Sequence, residues 1–145
     1  MVIAIIGESC VGKSTFAEKL REALAAEVYT GKDYLRLAKN ETIARKLFEK
    51  KLTAAVAGEH LIYVIAEKEH LAFLPAGTVK VLLTADLELI LERFSHRMRG
   101  NLPAPVKQML EKKHGCFDQI DYAYHIHNCV NMDAVCQEII LTVVK

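Results

Sequence analysis

The stretch GESCVGKS at residues 7–14 decides how this chain is interpreted. It matches the pattern G-x-x-x-x-G-K-S/T at every fixed position. Glycines at positions 7 and 12 allow main-chain angles that a side chain would hinder. Successive N–H groups can then turn inward around a phosphate, while Lys13 can reach the β- and γ-phosphates and Ser14 can ligate Mg²⁺. The stretch therefore predicts a phosphate-binding loop.

The residues on either side of this loop supply the context that the pattern needs. Residues 2–6 form an apolar run typical of a central strand in a parallel sheet. Residues 14–26 place apolar side chains at helical spacing, so a helix N-terminus with its partial positive charge would face the phosphates. The alternative is a Gly-rich turn that binds nothing. The predicted nucleotide-binding residues here are Gly7, Glu8, Ser9, Cys10, Val11, Gly12, Lys13, Ser14 and Thr15.

The remainder of the chain alternates between strand-like and helix-like segments. Further strands are predicted at residues 27–30, 60–66, 79–84 and 122–127. One or two helices are predicted within 33–58, and others at 86–97, 106–113 and 132–144, with a loop at 100–105. Such alternation calls for a parallel sheet with right-handed crossovers. We therefore expect a single α/β domain over residues 1–145.

Composition excludes several kinds of partner. The 19 Lys and Arg residues nearly balance the 18 Asp and Glu residues, so there is no basic excess that would indicate a nucleic-acid partner. No apolar run reaches the roughly 20 residues that span a bilayer, and the apolar start lacks the basic flank of a signal peptide. The four cysteines form no C-x-x-C pair, which favours free thiols in a reducing compartment. We expect a cytoplasmic protein without a membrane or nucleic-acid partner.

With this loop and this order of elements, the chain resembles the P-loop nucleoside monophosphate kinases, in particular the adenylate and cytidylate kinases. The resemblance extends over nearly the whole chain and is most specific at the phosphate loop. It implies a three-layer α/β fold with a parallel five-stranded sheet of order 2-3-1-4-5 and helices on both faces. It also implies an acceptor-binding segment at residues 33–58 and a small lid at 93–115. The implied reaction uses ATP and Mg²⁺ to phosphorylate a small acceptor, such as CMP or AMP.

Residues 29–36, YTGKDYLR, resemble the T-G-D-x-x-R stretch that follows the second strand in these kinases. The resemblance implies that Arg36 meets the acceptor's phosphate and that Asp33 lies beside it. The additional Lys32 departs from the family's spacing. The alternative is a helix N-cap at Asp33 and a solvated Arg36.

Residues 61–67, LIYVIAE, resemble a Walker B strand that ends in an acid. Glu67 is then placed to hold Mg²⁺ through water or to polarise an attacking hydroxyl. In cytidylate kinases this acid is followed by Gly-Arg, whereas Lys68 and Glu69 follow here. That departure weakens the carry-over of substrate identity, and a solvated acid is the alternative.

Arg93 and Arg97 are four residues apart and share one face of a predicted helix. They resemble the lid arginines of these kinases, which meet the equatorial oxygens of the transferring phosphoryl group. Together with Lys13, they are the predicted catalytic residues. A solvated basic face that pairs with Glu88 and Glu92 is the alternative.

The end of the last predicted strand and the residue after it, positions 125–128, are the final candidate. The resemblance implies that Asn128 lies against the nucleotide base. His125 and His127 alternate onto one strand face, but zinc needs about four ligands, so a structural role is favoured. A GTPase switch is disfavoured, because neither D-x-x-G nor N-K-x-D is present. An ATP-binding module without kinase activity and a small-metabolite kinase remain open.

Overall fold

The computed structural model describes residues 1–144. Its five strands are β1 Val2–Gly7, β2 Glu27–Thr30, β3 Leu61–Ile65, β4 Val79–Thr84 and β5 Tyr124–His127. They form one sheet of order β2-β3-β1-β4-β5 in which every pairing is parallel. The predicted fold class and strand order are confirmed. The predicted domain extends to Lys145, which lies outside the described residues.

Five α-helices and two short 3₁₀ helices connect these strands. The α-helices are α1 Lys13–Leu24, α2 Glu41–Ala55, α3 Leu87–Arg97, α4 Ala104–Lys113 and α5 Met132–Val144. The 3₁₀ helices, Asp33–Leu37 and Lys68–Phe73, follow β2 and β3 respectively. None of the helices in residues 1–144 combines the length and apolar character needed to cross a membrane.

Strand β1 is the structural centre of the sheet. It pairs with β3 on one side and β4 on the other, with Ile5 opposite both Val64 and Val81. All six of its residues are buried, which explains why the segment is apolar at consecutive positions instead of alternating. The phosphate loop thus starts from the most enclosed strand of the fold.

Each face of the sheet carries its own apolar core. Helices α1 and α5 contribute to one core through residues such as Phe16, Leu20 and Ile139. The other core is aromatic: Phe48 of α2 lies edge-on to Tyr63 of β3 at a centroid distance of 4.8 Å. Phe48 also stacks on Tyr34 at 5.5 Å. The helices therefore cover both faces, as predicted.

Several element boundaries differ from those predicted, for local reasons. Helix α1 ends at Leu24 because Ala25 adopts a left-handed conformation with φ 52°. Helix α4 begins at Ala104 and includes Pro105, because proline is tolerated in the first turn of a helix. Strand β5 begins at Tyr124, two residues later than predicted. The 3₁₀ helix after β3 was not predicted.

Candidate functional site

The phosphate loop joins the carboxyl end of β1 to the N-terminus of α1, at the edge of the sheet where ligands bind in open α/β folds. Five of its carbonyl oxygens accept hydrogen bonds. The Gly7 and Glu8 carbonyl oxygens accept from the Lys13 ammonium. The Cys10 carbonyl oxygen accepts from Arg93 Nη1 at 2.8 Å, and that of Val11 accepts from the Cys129 thiol at 3.6 Å. The Gly12 carbonyl oxygen accepts from the Phe16 N–H at 3.1 Å. These bonds fix the conformation of the loop.

The main-chain amides of the loop have no such partners. Within residues 1–144, none of the main-chain N–H groups of residues 9–15 donates a hydrogen bond to another group. Unpaired amides at a helix N-terminus, reinforced by the helix dipole, form an anion-binding site. The loop therefore has the hydrogen-bonding pattern that a phosphate requires.

The two glycines of the loop pattern are sterically required in this structure. A Cβ on Gly7 would lie 2.5 Å from the Leu83 carbonyl oxygen and 2.7 Å from Val11 Cγ2. Gly12 has φ +101°, and a Cβ there would lie 2.8 Å from Cys129 Sγ. The loop can keep its shape only if both positions lack side chains.

The Lys13 side chain lies inside the loop and is largely enclosed. Burial is the main cause that lowers its pKa from 10.5 to about 8, and the nearby positive charge of Arg97 lowers it further. The charges of Cys10 and Glu8 act in the opposite direction. Because a bound phosphate would supply the missing negative charge, the ammonium is poised to bind an anion.

A cleft of about 780 Å³ opens beside the loop, between it and helix α3. The predicted lid arginines Arg93 and Arg97 both line it. Arg93 is half-buried and bonded to the loop, whereas Arg97 is exposed. Cys129 and Met132 also line the cleft, and sequence analysis missed them, because neither residue type signals nucleotide binding. The cleft is large enough for a mononucleotide, since small-molecule sites typically measure about 300–1,000 Å³.

Glu67 follows β3 on the opposite side of the loop and pairs with Lys113 of α4 at 3.2 Å. The two side chains are 51% and 49% exposed respectively. A cavity of about 40 Å³ lies between this pair and the loop. The structure therefore brings Glu67 to the edge of the phosphate loop, but with a lysine as its ionic partner.

The Glu8 side chain is also engaged by the segment that follows α4. Its carboxylate accepts from the Gly115 N–H at 3.0 Å and lies 3.2 Å from His114 Nδ1. The side chain is only 10% exposed. Glu8, predicted as a nucleotide-binding residue, here connects the loop to the lid region.

Asp33 and Arg36, predicted with Glu67 to hold the acceptor, both lie on the 3₁₀ helix after β2 but have different partners. Asp33 follows β2, and its carboxylate accepts from the Thr30 N–H at 2.9 Å. The Arg36 guanidinium lies over the Tyr29 ring, 4.4 Å from its centroid, and 3.9 Å from the Glu27 carboxylate. Neither of these Arg36 partners belongs to the phosphate loop, so the structure does not bring Arg36 together with Lys13.

Asn128 adopts a left-handed conformation with φ 51° and bonds to Asp86. Its side-chain oxygen accepts from the Asp86 N–H at 2.9 Å, and its amide donates to the carboxylate at 3.0 Å. This bonding lowers the pKa of Asp86, with a further contribution from His127. Asn128 therefore fixes the segment after β5 against the start of α3, next to the cleft.

His125 and His127 share one hydroxyl on the neighbouring strand. Thr84 Oγ1 lies 2.7 Å from His125 Nε2 and 2.7 Å from His127 Nδ1. His127 Nε2 lies 3.1 Å from an Asp86 carboxylate oxygen. These contacts give the two histidines a structural role between β4 and β5.

The residues at the loop fit a magnesium–nucleotide complex better than a metal bound by protein alone. In the part of the chain that the structure describes, no cluster of three or more His, Cys, Asp or Glu side chains can hold a metal ion. The exposed Ser14 hydroxyl and the half-exposed Glu67 carboxylate are oxygen donors on either side of the loop. Mg²⁺ prefers this arrangement, with one or two protein oxygens completed by phosphates and water.

No protein-family model matches the chain, and no curated protein matches it. Solved structures do share its fold. An uncharacterized protein from Eubacterium ventriosum is 20% identical with a TM-score of 0.69, over 100% of this chain and 99% of that one. Shikimate kinase from Aquifex aeolicus is 21% identical with a TM-score of 0.56, over 99% and 96%. The YorR protein from Bacillus subtilis, solved in complex with phosphorylated GDP, is 23% identical with a TM-score of 0.60, over 99% and 95%. The chain thus has the P-loop kinase fold.

Proposed function

We propose that this protein is a phosphotransferase that moves the γ-phosphoryl group of ATP to a small acceptor. The observation that supports this proposal is the row of unpaired amides at residues 9–15 around the Lys13 ammonium. An open cleft beside it has room for the nucleoside part of the donor. Protein catalysis of phosphoryl transfer consists mostly of positioning and charge stabilisation, and these residues supply both.

Lys13 changes partners in the proposed reaction. In the free protein its ammonium donates to the Gly7 and Glu8 carbonyl oxygens. When a triphosphate is bound, the ammonium turns to the β- and γ-phosphate oxygens. Arg97 lines the cleft beside the loop, and in the proposed reaction its guanidinium meets the same phosphates as charge develops on the transferring group. Arg93 holds the cleft wall through the Cys10 carbonyl.

Ser14 and Glu67 are the proposed protein oxygens for Mg²⁺, the Glu67 carboxylate acting through water. A bound Mg²⁺ neutralises charge on the β- and γ-phosphate oxygens. Asp33, at the carboxyl end of β2, and Glu67 are the candidates to orient the acceptor hydroxyl. The proposed site therefore spans the ends of β1, β2 and β3.

The acceptor is proposed to be a small metabolite or a nucleoside monophosphate such as CMP or AMP. The segment 33–58 consists of one 3₁₀ helix and α2, both packed on the sheet through Tyr34 and Phe48. It offers no separate lobe to enclose a base, and Arg36 is engaged with Tyr29. These features favour the smaller acceptor. The neighbouring structures include a shikimate kinase and a protein with phosphorylated GDP, so both classes belong in the test.

The test is ATP consumption with Mg²⁺ in the presence of a panel of acceptors. The panel contains nucleoside monophosphates, hydroxylated carboxylic acids and simple sugars. We expect one class to raise ATP consumption at least about tenfold above the rate with water alone, an effect that requires only about 1.4 kcal/mol of transition-state stabilisation. The Lys13→Met variant serves as the background. If that variant consumes ATP at the parental rate with the same acceptor, the assigned role of Lys13 is wrong.

The second candidate is a nucleotide-binding module without kinase activity. The ion pair between Glu67 and Lys113 favours it, because this pair closes the acceptor side of the loop. The absence of Gly-Arg after Glu67 points the same way. Saturable ATP binding by calorimetry, with no stimulation by any acceptor class, would support this second candidate against the first.

A further inference from the structure

The chain crosses the edge of the sheet between α4 and β5, and we call residues 110–117 the strap. Its ends are anchored in opposite cores. Leu110 is 4% exposed and belongs to the core that contains α1. Phe117 is 2% exposed and belongs to the aromatic core that contains α2. Between these anchors, the strap runs past the phosphate loop and the end of β3.

Two acidic residues hold the strap in this position. Glu8 of the loop binds the Gly115 N–H and lies against His114, while Glu67 pairs with Lys113. The contact with Glu8 is nearly enclosed, since that side chain is 10% exposed. The contact with Glu67 is half-exposed on both sides, and ion pairs of this kind are weak. The Lys113 contact is therefore the one that a competing cation can replace.

The strap leaves almost no room on the acceptor side of the loop. The cavity there measures about 40 Å³ and is lined by Glu8, Ser9, Glu67, Lys113 and Cys116, among others. That volume suits a water molecule or two, whereas sites for small molecules measure about 300–1,000 Å³. An acceptor can reach the loop from this side only after Lys113 leaves Glu67.

We propose that Lys113 is a positioning residue that competes with Mg²⁺ for the Glu67 carboxylate, so that binding of the magnesium–triphosphate complex releases the strap and opens the acceptor side. This inference rests on the proposed function. The ammonium occupies the cation position beside Glu67 in the free protein. Gly115, with φ +80° and its N–H held by Glu8, is the point about which the preceding residues move.

The first measurement is the alkylation rate of Cys116, followed by peptide mass spectrometry with a maleimide in excess. Cys116 lies on the strap and is partly enclosed, and burial raises the pKa of its thiol. Alkylation is therefore slow while the strap is closed. Cys136 is buried in the core and serves as the internal reference. We expect ATP with Mg²⁺ to speed the alkylation of Cys116 relative to ATP without Mg²⁺.

The variant Lys113→Gln removes the competing cation, and Lys112→Gln is its matched control. Lys112 neighbours Lys113 on α4 and forms no ion pair within the described residues. In the absence of ligand, Lys113→Gln should speed Cys116 alkylation about two- to fivefold, the range expected for loss of an exposed ion pair. The Mg²⁺ concentration for half-maximal ATP binding should fall by a similar factor. Lys112→Gln should match the parent in both measurements.

The outcomes separate this inference from the function on which it rests. If calorimetry shows that ATP binds with Mg²⁺ while Lys113→Gln and Lys112→Gln behave alike, the strap inference is overturned and the proposed function stands. If magnesium–ATP slows Cys116 alkylation in the parent, the strap closes on the donor, and the inference is likewise overturned. If no triphosphate binds at all, both proposals fail together.

Discussion

The two sides of the phosphate loop differ in how much of their binding site is already formed. On the side of α3, a cleft of about 780 Å³ is open. On the side of β3, the strap leaves a cavity of about 40 Å³. In the proposed reaction, the open side of α3 takes the donor as it stands, whereas the side of β3 must change before it can take an acceptor.

This difference follows from how the two sides are built. The loop itself is a contiguous stretch, but on the side of α3 its Cys10 and Val11 carbonyl oxygens are held by Arg93 and Cys129, 83 and 118 positions away. The acceptor side depends on contacts between residues far apart in the chain: 46 positions separate Glu67 from Lys113, and 107 separate Glu8 from Gly115. Both sides therefore depend on long-range contacts, but the ion pair between Glu67 and Lys113 is half-exposed and weak, so the side of β3 can adjust.

The largest expected effect comes from Lys13→Met, which breaks the donor side. Removing one charged donor from a phosphoryl-transfer site should reduce turnover by about two to three orders of magnitude. Because the pKa of Lys13 is lowered by burial, loss of the charge should not lower the free energy of unfolding. Steady-state kinetics and thermal unfolding test the two expectations.

The control for this variant is Lys39→Met, at an exposed position before α2. It changes the same side chain without touching the loop. Equal losses of turnover in both variants would show that Lys13 has no special role.

The second effect, at Gly12→Ala, is smaller and tests the steric basis of the loop. Alanine must adopt φ +101° and place its Cβ 2.8 Å from Cys129 Sγ. The left-handed conformation alone costs about 1–2 kcal/mol, and the contact with the sulfur adds to that cost. Chemical denaturation measures the change in the free energy of unfolding.

Gly31→Ala is the matched control, because Gly31 has φ +53° and a Cβ added there would meet no heavy atom within 4 Å. It should therefore show the conformational cost without the steric one. Equal destabilisation by the two variants would mean that the loop and Cys129 move to accommodate the added Cβ at position 12 without a steric cost.

The smallest effect is a pH dependence of triphosphate binding. A triphosphate favours the protonated form of Lys13, whose pKa in the free protein is about 8. Binding should therefore weaken as pH rises above 8, by at most about 1.4 kcal/mol per pH unit. In the same range the free protein should gain stability up to the unfolded pKa near 10.5, since the unfolded chain then binds more protons.

Thermal unfolding with and without magnesium–ATP between pH 7 and pH 9.5 measures both slopes. The stabilisation by ligand should shrink with pH while the melting temperature of the free protein rises. The Lys13→Met variant removes the titrating group. In that variant, the ligand stabilisation and the melting temperature of the free protein should both lose the pH dependence that Lys13 causes.

The elements that carry a strong periodic or apolar pattern were predicted well. The bounds of β2, β4 and α5 agree with the sequence prediction, because runs such as VKVLLT are uniform and end at turn residues. The sheet order came only from the family resemblance. The predicted element boundaries were wrong where the conformation of a single residue sets the boundary. An example is Ala25, whose left-handed conformation ends α1. A propensity pattern does not contain that information.

The site was predictable to the extent that it is local. The loop pattern located Lys13 and its neighbours. Helical spacing put Arg93 and Arg97 on one helix face, the family resemblance assigned them to a lid, and both line the cleft. Contacts across the fold were not predictable. Nothing in the sequence indicates that Glu67 would pair with Lys113 or that Arg36 would lie on Tyr29. The contacts of long side chains depend on which residues the packed fold brings near them.

The enclosed strand β1 has a consequence for the exchange of main-chain hydrogens with solvent. Its residues lie in the sheet ladder and are buried throughout, so their amides should exchange only on global opening. From residue 9 to residue 15 the amides have no acceptor within residues 1–144, and they should exchange orders of magnitude faster. The most and the least protected parts of the backbone thus lie side by side, and a bound anion would slow exchange only on the unprotected side of that boundary.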